Sequence, residues 1–190
     1  MKLQNKQIKD AKLLRKLWDC GAVFTAFDTE TTGISSTNDR VIEIGAVKFS
    51  SEGVIETYQT LVNPRVFIPP FITSLTHITN DMIENAPVPA RIIPKFLDFV
   101  KGTVLVAHNA GFDVSFINAE SDRLGYGKLE NSVLDTVKFS RMYWPEEKSH
   151  KLSCMANVIG VDPGQSHRAL DDAKVCVEII KAVLEKTSHL

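Results

Sequence analysis

Apolar residues along this chain recur with two different periods. From residue 2 to 18, Leu3, Ile8, Ala11, Leu14, Leu17 and Trp18 fall on one broad side of a helix. Lys2, Lys9, Lys12 and Lys16 fall on the other, which predicts an amphipathic N-terminal helix with a solvated basic face. Three runs rich in Val, Ile, Phe, Thr and Tyr follow, over 22–28, 41–49 and 55–62. Gly33-Ile34-Ser35-Ser36 and Ser50-Ser51-Glu52-Gly53 separate them, and the pattern predicts a three-stranded antiparallel meander.

Beyond Pro64 the chain enters a loop with Pro69-Pro70 and a short segment, Leu75-Thr76-His77-Ile78-Thr79. Ile92, Ile93, Phe96, Leu97 and Val100 then repeat at helical spacing, with Pro94 expected in the first turns and Gly102 closing the helix. Residues 103–108 form a short continuous apolar run, the mark of a buried, parallel strand. A helix over 114–124 turns Val114, Phe116, Ile117 and Leu124 inward, and Gly125 ends it. A fifth strand is expected over 132–135, and helices over 136–143, 151–159 and 169–186. Strands in a row, then helix alternating with strand, imply an α/β sandwich with a mixed sheet.

At 190 residues the chain can bury one core, and no Pro/Gly/Ser-rich linker divides it. The expected organisation is a helical extension over 1–20 and a single domain over 21–188. A hydrophobic share of 44% beside 24% charged residues excludes a disordered chain. No apolar run reaches membrane-spanning length, and residues 1–6 lead into no secretion signal, so no membrane partner and a cytoplasmic location are expected. Cys20, Cys154 and Cys176 are odd in number and form no C-x-x-C pair, which argues against a disulfide framework or a zinc ribbon.

The chemistry lies in three short segments: Ala26-Phe27-Asp28-Thr29-Glu30-Thr31-Thr32-Gly33, Ala107-His108-Asn109-Ala110-Gly111-Phe112-Asp113, and His167-Arg168-Ala169-Leu170-Asp171-Asp172-Ala173. Strand alternation puts Asp28 and Glu30 on one face, with Thr29 on the other. On the last helix Asp172 is in phase with Val175, Cys176, Ile179 and Val183. Asp171 is in phase with Lys174, Glu178, Lys181 and Glu185, so Asp172 is the inward carboxylate. An acid on an apolar stripe is costly to bury unless it is paired or bound to metal. Asp28, Glu30, Asp113 and Asp172 brought together would offer only oxygen ligands, the preference of Mg²⁺ or Mn²⁺, and would support metal-assisted phosphoryl chemistry. Blander readings stand beside this one. Asp28 and Glu30 could mark a polar strand end, Asn109 a turn, Asp113 a helix cap, and His167 a structural histidine. The charge of −1 would turn modestly positive once four carboxylates held two divalent ions, which is compatible with phosphate binding but not with strong affinity for long duplex.

Taken jointly, Phe27-Asp28-Thr29-Glu30-Thr31-Thr32-Gly33, His108-Asn109-Ala110-Gly111-Phe112-Asp113 and the H-x-A-x-x-D pattern of His167, Ala169 and Asp172 resemble the DnaQ-like 3′–5′ exonucleases of the DEDDh group. That family includes the epsilon proofreading subunit of bacterial DNA polymerase III and ribonuclease T. The resemblance implies an RNase H-like fold, two divalent cations (Mg²⁺ or Mn²⁺), and removal of nucleoside monophosphates from the 3′ end of single-stranded or frayed DNA, as proofreading or repair. It also implies that Asp28, Glu30, Asp113 and Asp172 hold the metals. His167 would take the proton from the attacking water, and Thr31, His77, Asn109 and Phe112 would hold the terminal nucleotide. Alternatives within and outside that chemistry are an exoribonuclease or oligoribonuclease acting on RNA, and a catalytically idle nucleic-acid-binding or polymerase-docking module. The chain ends at Leu190, a few residues past the last helix, where the epsilon subunit carries a polymerase-binding tail. That departure puts a stable polymerase partnership in doubt, while a DNA polymerase stays among the candidate partners and the oligomeric state is left open.

Overall fold

The computed structural model describes residues 7–165 and 167–189. Among the described residues six strands form one sheet, in the order β1 (Gln7–Ile8), β6 (Val133–Asp135), β5 (Val104–Ala107), β2 (Phe24–Thr31), β3 (Val41–Ser50) and β4 (Gly53–Leu61). β2, β3 and β4 make the expected antiparallel meander. β5, β6 and β1 extend it in parallel from the free edge of β2. All four residues of β5 are buried because helices cover both faces there, which is why that strand reads as an unbroken apolar run.

One face is covered by α8 (Ala169–Lys186), with α1 (Ala11–Asp19), α6 (Thr136–Tyr143) and α7 (Leu152–Ile159) around it. Phe24 and Ala26 of β2 and Val47 and Phe49 of β3 point into that layer. The alternate residues Phe27, Ile44 and Ala46 point the other way, against α4 (Pro89–Phe99) and α5 (Gly111–Arg123). Two short helices, α2 (Pro70–Thr76) and α3 (Asn80–Glu84), cover a smaller cluster with Ile42, Ile68, Ile78 and Ile83.

Two expected helix starts need correction. The N-terminal helix starts at Ala11, not at residue 2; Asp10 adopts extended backbone and its side chain accepts the Lys12 N–H, an N-cap that stops the helix there. Gln7 and Ile8 instead pair with Val133 and Leu134, and residues 2–6 of the expected helix lie outside the described residues. Ile8, Ala11 and Leu14 join the core beneath α8. α5 begins at Gly111, ahead of its apolar residues, because the Val114 N–H reaches back to the Ala110 carbonyl at 3.1 Å. α4 has Pro89 at its first position and carries Pro94 in its second turn, within the first turns as expected.

Candidate active site

The parity that sends Phe24 and Ala26 towards α8 continues to the end of β2, so Asp28 and Glu30 emerge on the α8 side. Asp172 lies in the first turn of α8. Ligand atoms of Glu30, His167 and Asp172 all lie within 4.8 Å of one another. His167, just before the helix, has left-handed backbone (φ 60°), and its N–H donates to Asp172 Oδ2 at 3.2 Å.

Asp113 comes from the opposite layer. It stands in the first turn of α5, is 2% exposed, and accepts two hydrogen bonds from one residue, Thr29: the N–H at 2.9 Å and the hydroxyl at 2.7 Å. Thr29 faces away from Asp28 and Glu30, and that orientation lets it draw Asp113 to the strand end. Asp113 thus ties α5 to the end of β2, beyond any local role in the first turn of its own helix, whose N-cap is Ala110.

Burial and mutual repulsion keep these acids from ionising easily. Asp28 is held well above the ordinary carboxylate range by burial and then by the charges of Asp113, Glu30 and Asp172. Glu30 is pushed up to about 8, by burial first and Asp172 second. Burial lifts Asp113 to about 7 against the pull of the Thr29 hydrogen bonds, and lifts Asp172 to about 6 against the pull of His167. A set of clustered oxygen donors that repel one another in a partly dry site fits a divalent cation, whose charge would offset the repulsion.

A residue the motifs pass over holds this arrangement in place. Glu43 of β3 is the sheet partner of Glu30 and is fully buried. It accepts from Arg168 Nε at 3.1 Å and Nη2 at 2.9 Å, from the Ala169 N–H at 3.1 Å, and from Gln59 Nε2 at 3.1 Å. Two positions on, Gly45 lets the backbone of α8 touch the strand, since a Cβ there would sit 2.1 Å from Leu170 N. The sequence signal was an isolated acid and glycine inside the apolar run Val41-Ile42-Glu43-Ile44-Gly45-Ala46-Val47.

A cavity of about 850 Å³ opens beside Asp172 and His167 and is lined also by His108, Asn109, Arg141, Lys148, His150, Lys151 and the start of α7. Asn109 has left-handed backbone, and its N–H donates to Asp135 Oδ1 at 3.1 Å, so the turn role and the cavity position coexist. His108 braces the walls. Burial lowers its pKa, and the neutral ring donates from Nε2 to the His150 carbonyl (2.8 Å) while Nδ1 meets the Thr136 hydroxyl (2.9 Å). Among the described residues, the lining does not include Thr31, His77 or Phe112. The Thr31 hydroxyl donates to the Gly33 carbonyl at 2.6 Å, His77 is exposed at the left-handed end of α2, and Phe112 packs on Phe116 with ring centres 4.8 Å apart.

Residues 25–180 match the family model described as Exonuclease (RNase_T). The DNA polymerase III subunit epsilon of Treponema pallidum is 44% identical over 163 residues, which span 85% of this chain and 76% of that protein. The PolC-type DNA polymerase III of Caldanaerobacter subterraneus subsp. tengcongensis is 47% identical over 167 residues, 88% of this chain but only 12% of the polymerase. Among solved structures, E. coli exonuclease I in complex with a dT13 oligonucleotide shares the fold with a TM-score of 0.77 at 19% identity, over 88% of this chain and 43% of that one. Exonuclease X in complex with 5′ overhanging duplex DNA gives 0.69 at 23%, over 87% and 93%.

Proposed function

The chain belongs to the exonuclease family, and on that premise we propose that it is a metal-dependent 3′–5′ exonuclease releasing nucleoside monophosphates from single-stranded or frayed DNA 3′ ends. The observation that carries the reading is the meeting of Glu30, His167 and Asp172 within 4.8 Å at the end of β2, with Asp28 on the same strand face. Asp28, Glu30 and Asp172, with Asp113 drawn in by Thr29, would hold two cations, Mg²⁺ or Mn²⁺. Bound there, the ions supply charge stabilisation to the attacking and leaving oxygens of an in-line displacement.

The remaining work falls to side chains. His167 is exposed at the cavity and takes the proton from the attacking water through its imidazole. Its contact with Asp172 is made by the backbone N–H, which leaves the ring nitrogens out of that bond. Asn109 lies on the same cavity and holds the terminal nucleotide by hydrogen bonding. Thr31, His77 and Phe112 do not line the cavity, and in this reading they hold the nucleotide from outside it.

A proofreading or repair setting is supported by the relatives, which carry the names of a polymerase III epsilon subunit and of PolC-type polymerases. A DNA polymerase is accordingly the proposed partner. No helix among the described residues is long and apolar enough to cross a membrane. The deciding experiment incubates 5′-labelled single-stranded DNA, duplex DNA and RNA with Mg²⁺ or Mn²⁺. A ladder shortening from the 3′ end of DNA, fastest on the single strand, is expected. Faster loss of RNA would make the protein an exoribonuclease, and no ladder on any substrate would make it an idle module.

A further inference from the structure

Of the residues that line the 850 Å³ cavity, His167, Asp172 and Asn109 have a task in the cleavage, and the three cationic ones have none. The three are Arg141, in the last turn of α6, and Lys148 and Lys151, in the loop that leads to α7. All three side chains are exposed, and none forms an ion pair among the described residues. The same loop carries Glu146 and Glu147, yet neither lines the cavity. The α6–α7 segment therefore presents positive charge to the cavity, whose lining also includes Asp172.

The loop is held firmly enough to place its charges. His108, at the end of β5, fastens it through the His150 carbonyl at 2.8 Å, between Lys148 and Lys151. Leu152 and Ser153 at the start of α7 line the same space, and no side chain caps that helix, so its first N–H groups add donors of the same sign.

We propose that Arg141, Lys148 and Lys151 form a strand-holding wall that takes the backbone phosphates of nucleotides lying 5′ to the scissile bond. Cations that line the cavity entered by Asp172 separate two tasks. The carboxylates repel phosphate unless metal is bound, whereas the wall attracts it regardless, and without reading bases. Such a wall makes the enzyme favour long single strands over short fragments, because a dinucleotide has no phosphate upstream of its only bond. The inference rests on the exonuclease reading of this same cavity.

The test compares the wild type with a triple variant, Arg141→Gln, Lys148→Gln and Lys151→Gln, whose exposed positions make misfolding easy to check by melting temperature. Turnover is measured on a dinucleotide and on a single-stranded dodecanucleotide. Binding of the dodecanucleotide is measured by fluorescence anisotropy in chelator across a range of salt. For the variant, the rise in KM on the dodecanucleotide should exceed that on the dinucleotide by about tenfold or more. The dependence of log K on log salt should flatten by about 2, since each single-strand phosphate contact contributes ~0.7. Equal losses on both substrates, or an unchanged salt slope, would overturn the wall. If the wild type cleaves neither substrate, the exonuclease reading fails by itself, and the salt slope still decides the wall.

Discussion

Arg168 grips the fully buried Glu43 with two nitrogens, Nε at 3.1 Å and Nη2 at 2.9 Å, across 125 positions of sequence. The pair joins the middle of the sheet to the residue between His167 and α8. The Ala169 N–H adds a third bond to the same carboxylate, so β3 sets where the first turn of α8 lies and with it Asp172. Glu43→Gln should leave the Arg168 guanidinium without its countercharge. Removing one partner of a buried pair costs about 3–5 kcal/mol. Urea unfolding should show a loss of that size, with Mg²⁺-dependent cleavage falling alongside it. A midpoint close to wild type would mean that the apolar stripe of α8 alone seats the helix.

Thr29→Val keeps the backbone bond to Asp113 and removes the hydroxyl one. Losing a hydrogen bond to a charged group costs about 1.5–3 kcal/mol, so the variant should fold but bind Mn²⁺ roughly 10-fold or more weakly by calorimetric titration. Thr29→Ser, which restores the hydroxyl, should recover the affinity. Equal affinity in Thr29→Val and wild type would show that Asp113 needs no clasp.

The raised carboxylates tie stability to pH and to metal removal. Glu30, Asp113 and Asp172, pushed up to about 8, about 7 and about 6, hold protons in the folded state that the unfolded chain releases near its ordinary values of 4.5 and 3.8. Between roughly pH 4 and pH 8 the folded state thus binds more protons, and stability must fall as pH rises. In chelator, the melting temperature should decline across that window. Added Mn²⁺ should raise it, and by more at pH 8 than at pH 5, because ionised carboxylates bind the ion and protonated ones do not. A metal-induced gain that shrinks with rising pH would place the cation elsewhere.

Much of this site is legible in the sequence because its carboxylates ride on regular periods. Two-residue alternation puts Asp28 and Glu30 together, and helix phase separates the two neighbouring acids. Asp171 turns to Lys174 at 2.8 Å and to the Gln165 N–H at 3.1 Å, while Asp172 meets His167. The parts that escape are relations between elements. Thr29 reads as pointing away from the acids, and only the packing of α5 reveals that it reaches Asp113. Glu43 lies in a strand whose pattern announces burial but not a partner 125 positions later. Gln7–Ile8 is too short to carry a period, so its pairing with β6 is invisible until the sheet is assembled.

His167 offers the cleanest separation of chemistry from structure. Its contact with Asp172 is made by the backbone N–H, which His167→Ala retains. The ring is exposed, so little packing is lost with it. If the imidazole is the general base, the variant should melt within a few degrees of wild type and bind Mn²⁺ as tightly. Single-turnover cleavage should nonetheless fall by roughly 10²–10⁴-fold. The ring also lies within 4.8 Å of Glu30 and Asp172 ligand atoms, close enough to serve as a ligand itself. Titration with Mn²⁺ tells the two roles apart, because a ligand's loss weakens the ion in proportion to the rate, whereas a base's loss leaves binding intact. Parallel losses of affinity and rate would reassign His167 to the metal, and an unstable protein with normal chemistry per folded molecule would remove it from the reaction altogether.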